Sequence, residues 1–152
     1  MHKSVEVIRA TRRKFVELMD GLSLEQLNTI PAGFNNNILW NFGHVIASQQ
    51  VVCYRLAEVP YRIDPKYIPK YGKDSKPEGF VDQAELDTLK ALAISTMNDL
   101  ITDFENGLFK PHTTYATSFG VPLSYVEDTI LYVAMHEGLH LGYAIALKRV
   151  IV

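Results

Sequence analysis

Four stretches of this chain repeat apolar residues at the spacing of an α-helix, and one proline-rich run divides them into two pairs. Apolar residues at i, i+3, i+4 and i+7 form a single inward stripe only if the backbone is helical. The first stretch runs from Ser4 to Asp20, with Val5, Ile8, Phe15, Leu18, Met19 and then Leu22 on its stripe. The second opens at Asn36 or Asn37 and carries Ile38, Trp40, Phe42, His44, Val45, Val51, Val52 and Leu56, stopping before Pro60. Apolar residues surround most of its circumference, which predicts a largely buried helix. The third opens at Asp82 and turns Leu86, Leu89, Leu92, Ala93, Leu100, Ile101 and Phe104 inward, with Gly107 ending it. The fourth runs from Ser124 to Arg149, its Lys148 and Arg149 placed where a helix C-terminus favours positive charge. Asn36, Asn37 and Asp82 each offer a side-chain oxygen to the free N–H groups of a first turn. The expected fold is all-α, four helices around one core.

Between these stretches the punctuation is local. Gly21 stops the first helix, and Ser23-Leu24-Glu25-Gln26 has the pattern of a capping box opening one short extra turn. Pro31-Ala32-Gly33 then breaks the chain. From Glu58 to Asp82, Pro60, Pro65, Pro69 and Pro77 alternate with Tyr61, Tyr67 and Tyr71 among Arg62, Lys66, Lys70, Lys73 and Lys76. Prolines at this density exclude a continuous helix. A connection of this length is a lid, a binding loop or a solvated irregular segment. The second loop, Phe109 to Pro122, has room for some extended backbone, but its sequence does not define a sheet.

The 152 residues suit one domain, 1–152. Hydrophobic residues at 47% and charged residues at 21% match a globular protein, and 15 Lys+Arg against 17 Asp+Glu leave a net charge of −2. That balance offers nothing to nucleic acid or an anionic membrane. The single cysteine, Cys53, excludes an internal disulfide and reads as a buried small apolar side chain. The N-terminus goes directly into a charged amphipathic pattern, and no run approaches about 18 consecutive apolar residues. A soluble, cytoplasmic chain is expected.

The chemistry concentrates in His136-Glu137-Gly138-Leu139-His140. Histidines four apart stack on one helix face, where two imidazoles can hold one divalent ion. His44 sits in the middle of another apolar helix, and unpartnered imidazoles in such settings carry a desolvation cost. One metal shared by His44, His136 and His140 accounts for all three. The same five residues spell His-Glu-x-x-His, the zinc-protease signature. Such proteases take a third ligand downstream, and the 12 residues from Leu141 to Val152 hold no His, Asp or Glu. Glu137 is a candidate general base or a partner to a ligand, against a plain solvated carboxylate. His2 reads as part of a frayed terminus. His112 is either exposed or overhangs the mouth of the bundle. Trp40 and Phe42, on the turn before His44, are candidates for lining the cavity or for core packing.

The segment Asn35-Asn36-Asn37-Ile38-Leu39-Trp40-Asn41-Phe42-Gly43-His44, the turn from Leu27 to Gly33, and His136-Glu137-Gly138-Leu139-His140-Leu141-Gly142 together resemble the DinB-like superfamily of damage-inducible proteins. That superfamily includes the bacillithiol transferases and the mycothiol-dependent maleylpyruvate isomerase. The resemblance spans nearly the whole chain. It implies a four-helix bundle of up-down-down-up topology, often a homodimer, with nickel or zinc held by His44, His136 and His140. Many relatives carry Gln where this chain has Tyr143. The resemblance further implies a small-molecule substrate, with a low-molecular-weight thiol activated for attack on an electrophile as the candidate. A non-catalytic metal-binding or stress-response module is the alternative. The connection from Tyr61 to Lys76 is a candidate cover that receives an acidic thiol.

Overall fold

The computed structural model describes residues 3–110 and 112–152, so the reading of His2 lies outside the described residues. Six α-helices are present among the described residues: α1 (Lys3–Met19), α2 (Leu24–Asn28), α3 (Ile38–Cys53), α4 (Tyr67–Tyr71), α5 (Gln83–Glu105) and α6 (Val126–Ile151). The four long ones are the four stretches read from the sequence. They close a ring in which α1 packs on α6, α6 on α3, α3 on α5 and α5 on α1.

Local signals set the helix ends. The Asn37 side chain accepts from the Trp40 N–H at the start of α3, and Asp82 accepts from the Glu85 N–H at the start of α5. Ser23 and Gln26 form the full capping box of α2. Gly21 takes φ +84°, a left-handed conformation that only glycine adopts without cost, and so terminates α1. The second loop differs from expectation. Tyr115–Ala116 pairs antiparallel with Pro122–Leu123, because the Thr117 hydroxyl donates to the Val121 carbonyl and closes a tight hairpin.

The core is apolar: Ile8, Phe15, Phe42, Leu89 and Leu100, on the stripes read from the sequence, are fully enclosed, and so are Leu39, Ile46 and Met97, which those stripes did not include. On α5 the buried face differs from the apolar stripe. Phe104 is 40% exposed, whereas Thr96 and Asp103 are buried. Those two polar residues turn inward because each meets an arginine. Asp103 accepts two bonds from Arg62 and one from the Tyr54 hydroxyl, and Thr96 accepts from Arg12.

Arg12 lies on the buried face of α1. Its guanidinium reaches both Glu137 oxygens on α6, at 2.7–3.1 Å, and donates to the Ala93 carbonyl and Thr96 hydroxyl on α5. The reading of Glu137 as a solvated carboxylate is therefore corrected: the residue is fully buried and paired.

The Pro/Tyr-rich connection is also more ordered than a solvated loop. Ile63, Tyr67, Tyr71 and Val81 are buried in it, and Lys70 pairs with Glu85. Helix α6 exceeds the apolar content read from the sequence. By length and composition alone it is long and apolar enough to cross a bilayer. His136, Glu137 and His140 interrupt its apolar run and hide this from a count of consecutive residues. Leu131, Met135, Leu139, Tyr143, Ile145 and Val150 leave it an exposed apolar face.

Removing one partner of a buried, hydrogen-bonded ion pair strands the other, which costs about 3–5 kcal/mol. Arg12→Ala and Glu137→Ala should each lower the unfolding free energy by about that amount in urea titrations. The double variant Arg12→Met/Glu137→Leu should recover most of the loss. Single-variant losses below about 1 kcal/mol would show that the pair does not hold α1, α5 and α6 together.

Candidate metal centre

His44 projects from the middle of α3, and His136 and His140 project from one face of α6. Ring centroids lie 4.5 Å apart for His44–His140 and His136–His140, and 5.2 Å apart for His44–His136. One nitrogen from each ring lies within 4.8 Å of the other two. Nitrogens bound about 2.0–2.1 Å from one zinc sit roughly 3.3 Å apart, so the rings close in by about 1.5 Å at most.

Two of the three tautomers follow from the hydrogen bonds. Asn41 spends its amide N–H groups on the Asn36 side chain and the Asn37 carbonyl, so its Oδ1 is left as an acceptor. His140 Nδ1, 2.8 Å away, must therefore carry the proton and donate it. His44 Nδ1 lies 2.7 Å from the Tyr71 carbonyl, which can only accept, so that nitrogen is protonated too. Nε2 of both rings keeps its lone pair, with the Ser48 hydroxyl 3.2 Å from that of His44. Outer partners that fix the tautomer and ring orientation in this way are a recurrent feature of metal-bound histidine.

The sequence does not reveal that the Pro/Tyr-rich connection supplies one of these partners. Tyr71 reaches His44 because residue 43 is glycine. A Cβ there would lie 2.5–2.7 Å from three Tyr71 ring carbons. Trp40 stacks on His44 at 4.6 Å, and its indole N–H donates to Ser75, pinning the same connection from the other side. Phe42 packs against Phe15 in the core. Neither Trp40 nor Phe42 lines the cavity.

Burial lowers the proton affinity of all three imidazoles. His136 falls to about 4 and His140 to about 3, each also disfavoured by the neighbouring rings. His44 is lowered as well, chiefly by burial. At neutral pH the cluster presents three uncharged donors, the set a divalent ion needs. The residues fit such an ion.

The cluster opens into a cavity of about 320 Å³. Ser48, Arg55, Lys73, Tyr115, Phe119 and Tyr132 are among its walls. Glu137 points away toward Arg12 and is not part of the lining. His112 is buried but is not part of the cavity lining; its backbone N–H donates to the Ser124 carbonyl, and the backbone N–H of Thr113 donates to the Leu56 carbonyl. Cys53 is enclosed, with its thiol pushed up to about 12, so it is a packing residue. From the Tyr61–Lys76 segment, Gly72 and Lys73 reach the cavity. Arg55 and the hairpin residues Tyr115 and Phe119 were not legible as site residues, since nothing in their local sequence marks them.

An all-α chain with three converging histidines defines a class, and the sequence places it further. The chain belongs to the DinB superfamily, whose family profile matches residues 8–144. A search of curated proteins gives no match.

The lowered imidazole pKa values set a pH dependence for the metal-free protein. The unfolded chain protonates these histidines near 6.5, and the folded chain holds off to about 4 and 3 at His136 and His140. The unfolded state binds more protons in that window, so stability falls as pH drops through it. The urea midpoint should decrease from pH 6.5 to 4.5, and His140→Gln should flatten that slope. An unchanged slope in His140→Gln would contradict the assignment.

Proposed function

We propose that this protein is a divalent-metal-dependent thiol transferase acting on small molecules, with His44, His136 and His140 as the ligands of nickel or zinc. The observation that carries the reading is that the imidazoles open into a cavity instead of closing on each other. Structural metal sites are closed by four protein ligands, whereas sites that do chemistry keep positions for water or substrate. A purely sequestering module has no use for that space. The up-down-down-up order of the four long helices belongs to the same reading and is supported by their closed ring of contacts.

When bound, the ion supplies a Lewis acid that lowers the pKa of a thiol, so that its anion forms near pH 7. The chain's own residues do the rest. Asn41 and the Tyr71 carbonyl hold His140 and His44 in the tautomers that leave Nε2 free. Leu56, Phe119 and Leu139 give the cavity an apolar wall for an electrophile. Burial raises the Tyr132 hydroxyl pKa, so this group stays protonated and offers a hydrogen bond to the reacting molecule. The thiolate sulfur forms a bond to an electrophilic carbon as the leaving group departs with its electron pair, and the thiol proton passes to solvent.

The test uses protein purified without a histidine tag and loaded with zinc or nickel. Bacillithiol, glutathione and coenzyme A are offered with 1-chloro-2,4-dinitrobenzene, and chloride release is followed. At least one thiol should react well above the uncatalysed rate, with His136→Ala and chelator-stripped protein losing about 100-fold or more, the scale of a lost essential catalytic element. Transfer that survives in His136→Ala, or no transfer with any thiol, overturns the reading.

A further inference from the structure

We propose that Arg55 and Lys73 form an anion clamp at the histidine cavity, and that the site selects a small molecule joining an apolar body to a carboxylate or phosphate. This rests on the reading of the cavity as a small-molecule site.

The argument begins with the charges around the cavity. Its lining contains two formal cations, Arg55 and Lys73, and no Asp or Glu. The nearest buried carboxylate along α6, Glu137, is already balanced by Arg12 on the far side of the helix. A divalent ion on the triad would bring the formal charge of the site to +4, two from the ion and two from the side chains. A partly enclosed site with that charge favours an anionic occupant.

The basic residues that precede Lys73 in the connection already have carboxylate partners, whereas Lys76, which lies outside the cavity lining, has none among the described residues. Arg62 pairs with Asp103, Lys66 with Asp64 and Lys70 with Glu85. Each basic residue of the connection before Lys73 is thus matched by a carboxylate. Among the described residues, Lys73 and Arg55 form no ion pair, and both line the cavity.

The two cations come from different elements. Arg55 opens the 3-10 turn Arg55–Ala57 directly after α3, and Lys73 follows α4 in the connection. The Tyr71 and Ser75 contacts that orient His44 and hold Trp40 also bracket Lys73 in the chain. The Pro/Tyr-rich connection therefore contributes one hydrogen-bond acceptor to the triad and one charge to the cavity. Val51, Leu56, Phe119 and Leu139 give the wall an apolar part, beside the hydroxyls of Ser48, Tyr115, Ser118 and Tyr132. A cavity near the lower end of the size range of ligand pockets limits the ligand to a small molecule.

The probes are benzylsuccinate, phenyl phosphate and benzyl alcohol, titrated by NMR and calorimetry into metal-stripped full-length protein so that no anion can bind through a metal. Both anions should bind more tightly than benzyl alcohol. The ratio between benzylsuccinate and phenyl phosphate tells a carboxylate site from a phosphate site. Both cations are exposed, so Arg55→Gln and Lys73→Gln should each weaken anion binding by about two- to fivefold. The double variant should lose about tenfold, leave benzyl alcohol binding unchanged, and abolish most of the salt dependence. Wild-type zinc uptake by the double variant shows that fold and triad are intact. Equal affinity for the anions and benzyl alcohol, or double-variant affinity equal to wild type, overturns the clamp. Anion binding without thiol transfer removes the transferase reading and leaves the clamp standing. Thiol transfer without anion preference does the reverse.

Discussion

The buried ion pair between Arg12 and Glu137 sets the rotation of α6, and the histidine site depends on that rotation. Successive residues on a helix point about 100° apart. With Glu137 held against α1 and α5 by Arg12, His136 and His140 are turned toward α3, where His44 waits. A buried carboxylate is costly unless it is matched, and burial does raise the Glu137 pKa against the pull of Arg12. Thr96 and the Ala93 carbonyl take the remaining contacts of the guanidinium, which makes the match complete enough to tolerate. Glu137 thus acts as an anchor on the back of the helix that carries the site.

The second constraint is orientation of the rings. A histidine can present either nitrogen, and only the hydrogen bond made by one decides what the other can do. Here Asn41 is itself fixed by Asn36 and Asn37 at the start of α3, so the helix cap and the site form one connected network. The Tyr71 carbonyl serves His44 from a different part of the chain, and Gly43 is what lets it approach. The proline-rich connection is thereby a structural part of the centre, with Lys73 as its contribution to the cavity.

Features that depend on near neighbours in the chain were legible in the sequence. The four helical stripes, the caps at Ser23, Asn37 and Asp82, and the i, i+4 spacing of His136 and His140 are all of this kind. The convergence of His44 on that pair was readable too, because three imidazoles in apolar helices need a common explanation. Features that depend on distant partners were not legible. Arg12 sits in a basic run beside Arg13 and looks like surface, since its partner is 125 residues away. Asp103 and Thr96 displaced Phe104 from the buried face of α5 for the same reason. The fate of Glu137 was hidden by its place in a string shared with zinc proteases.

The central claim is that His44, His136 and His140 hold one divalent ion through three imidazole nitrogens. X-ray absorption spectroscopy on zinc-loaded, tag-free protein reads this directly. One zinc per chain, with three imidazoles near 2.0–2.1 Å completed by lighter donors, is the predicted result, and His44→Ala should remove one imidazole from the shell. No zinc uptake, or a shell of oxygen donors that His44→Ala leaves unchanged, would contradict it.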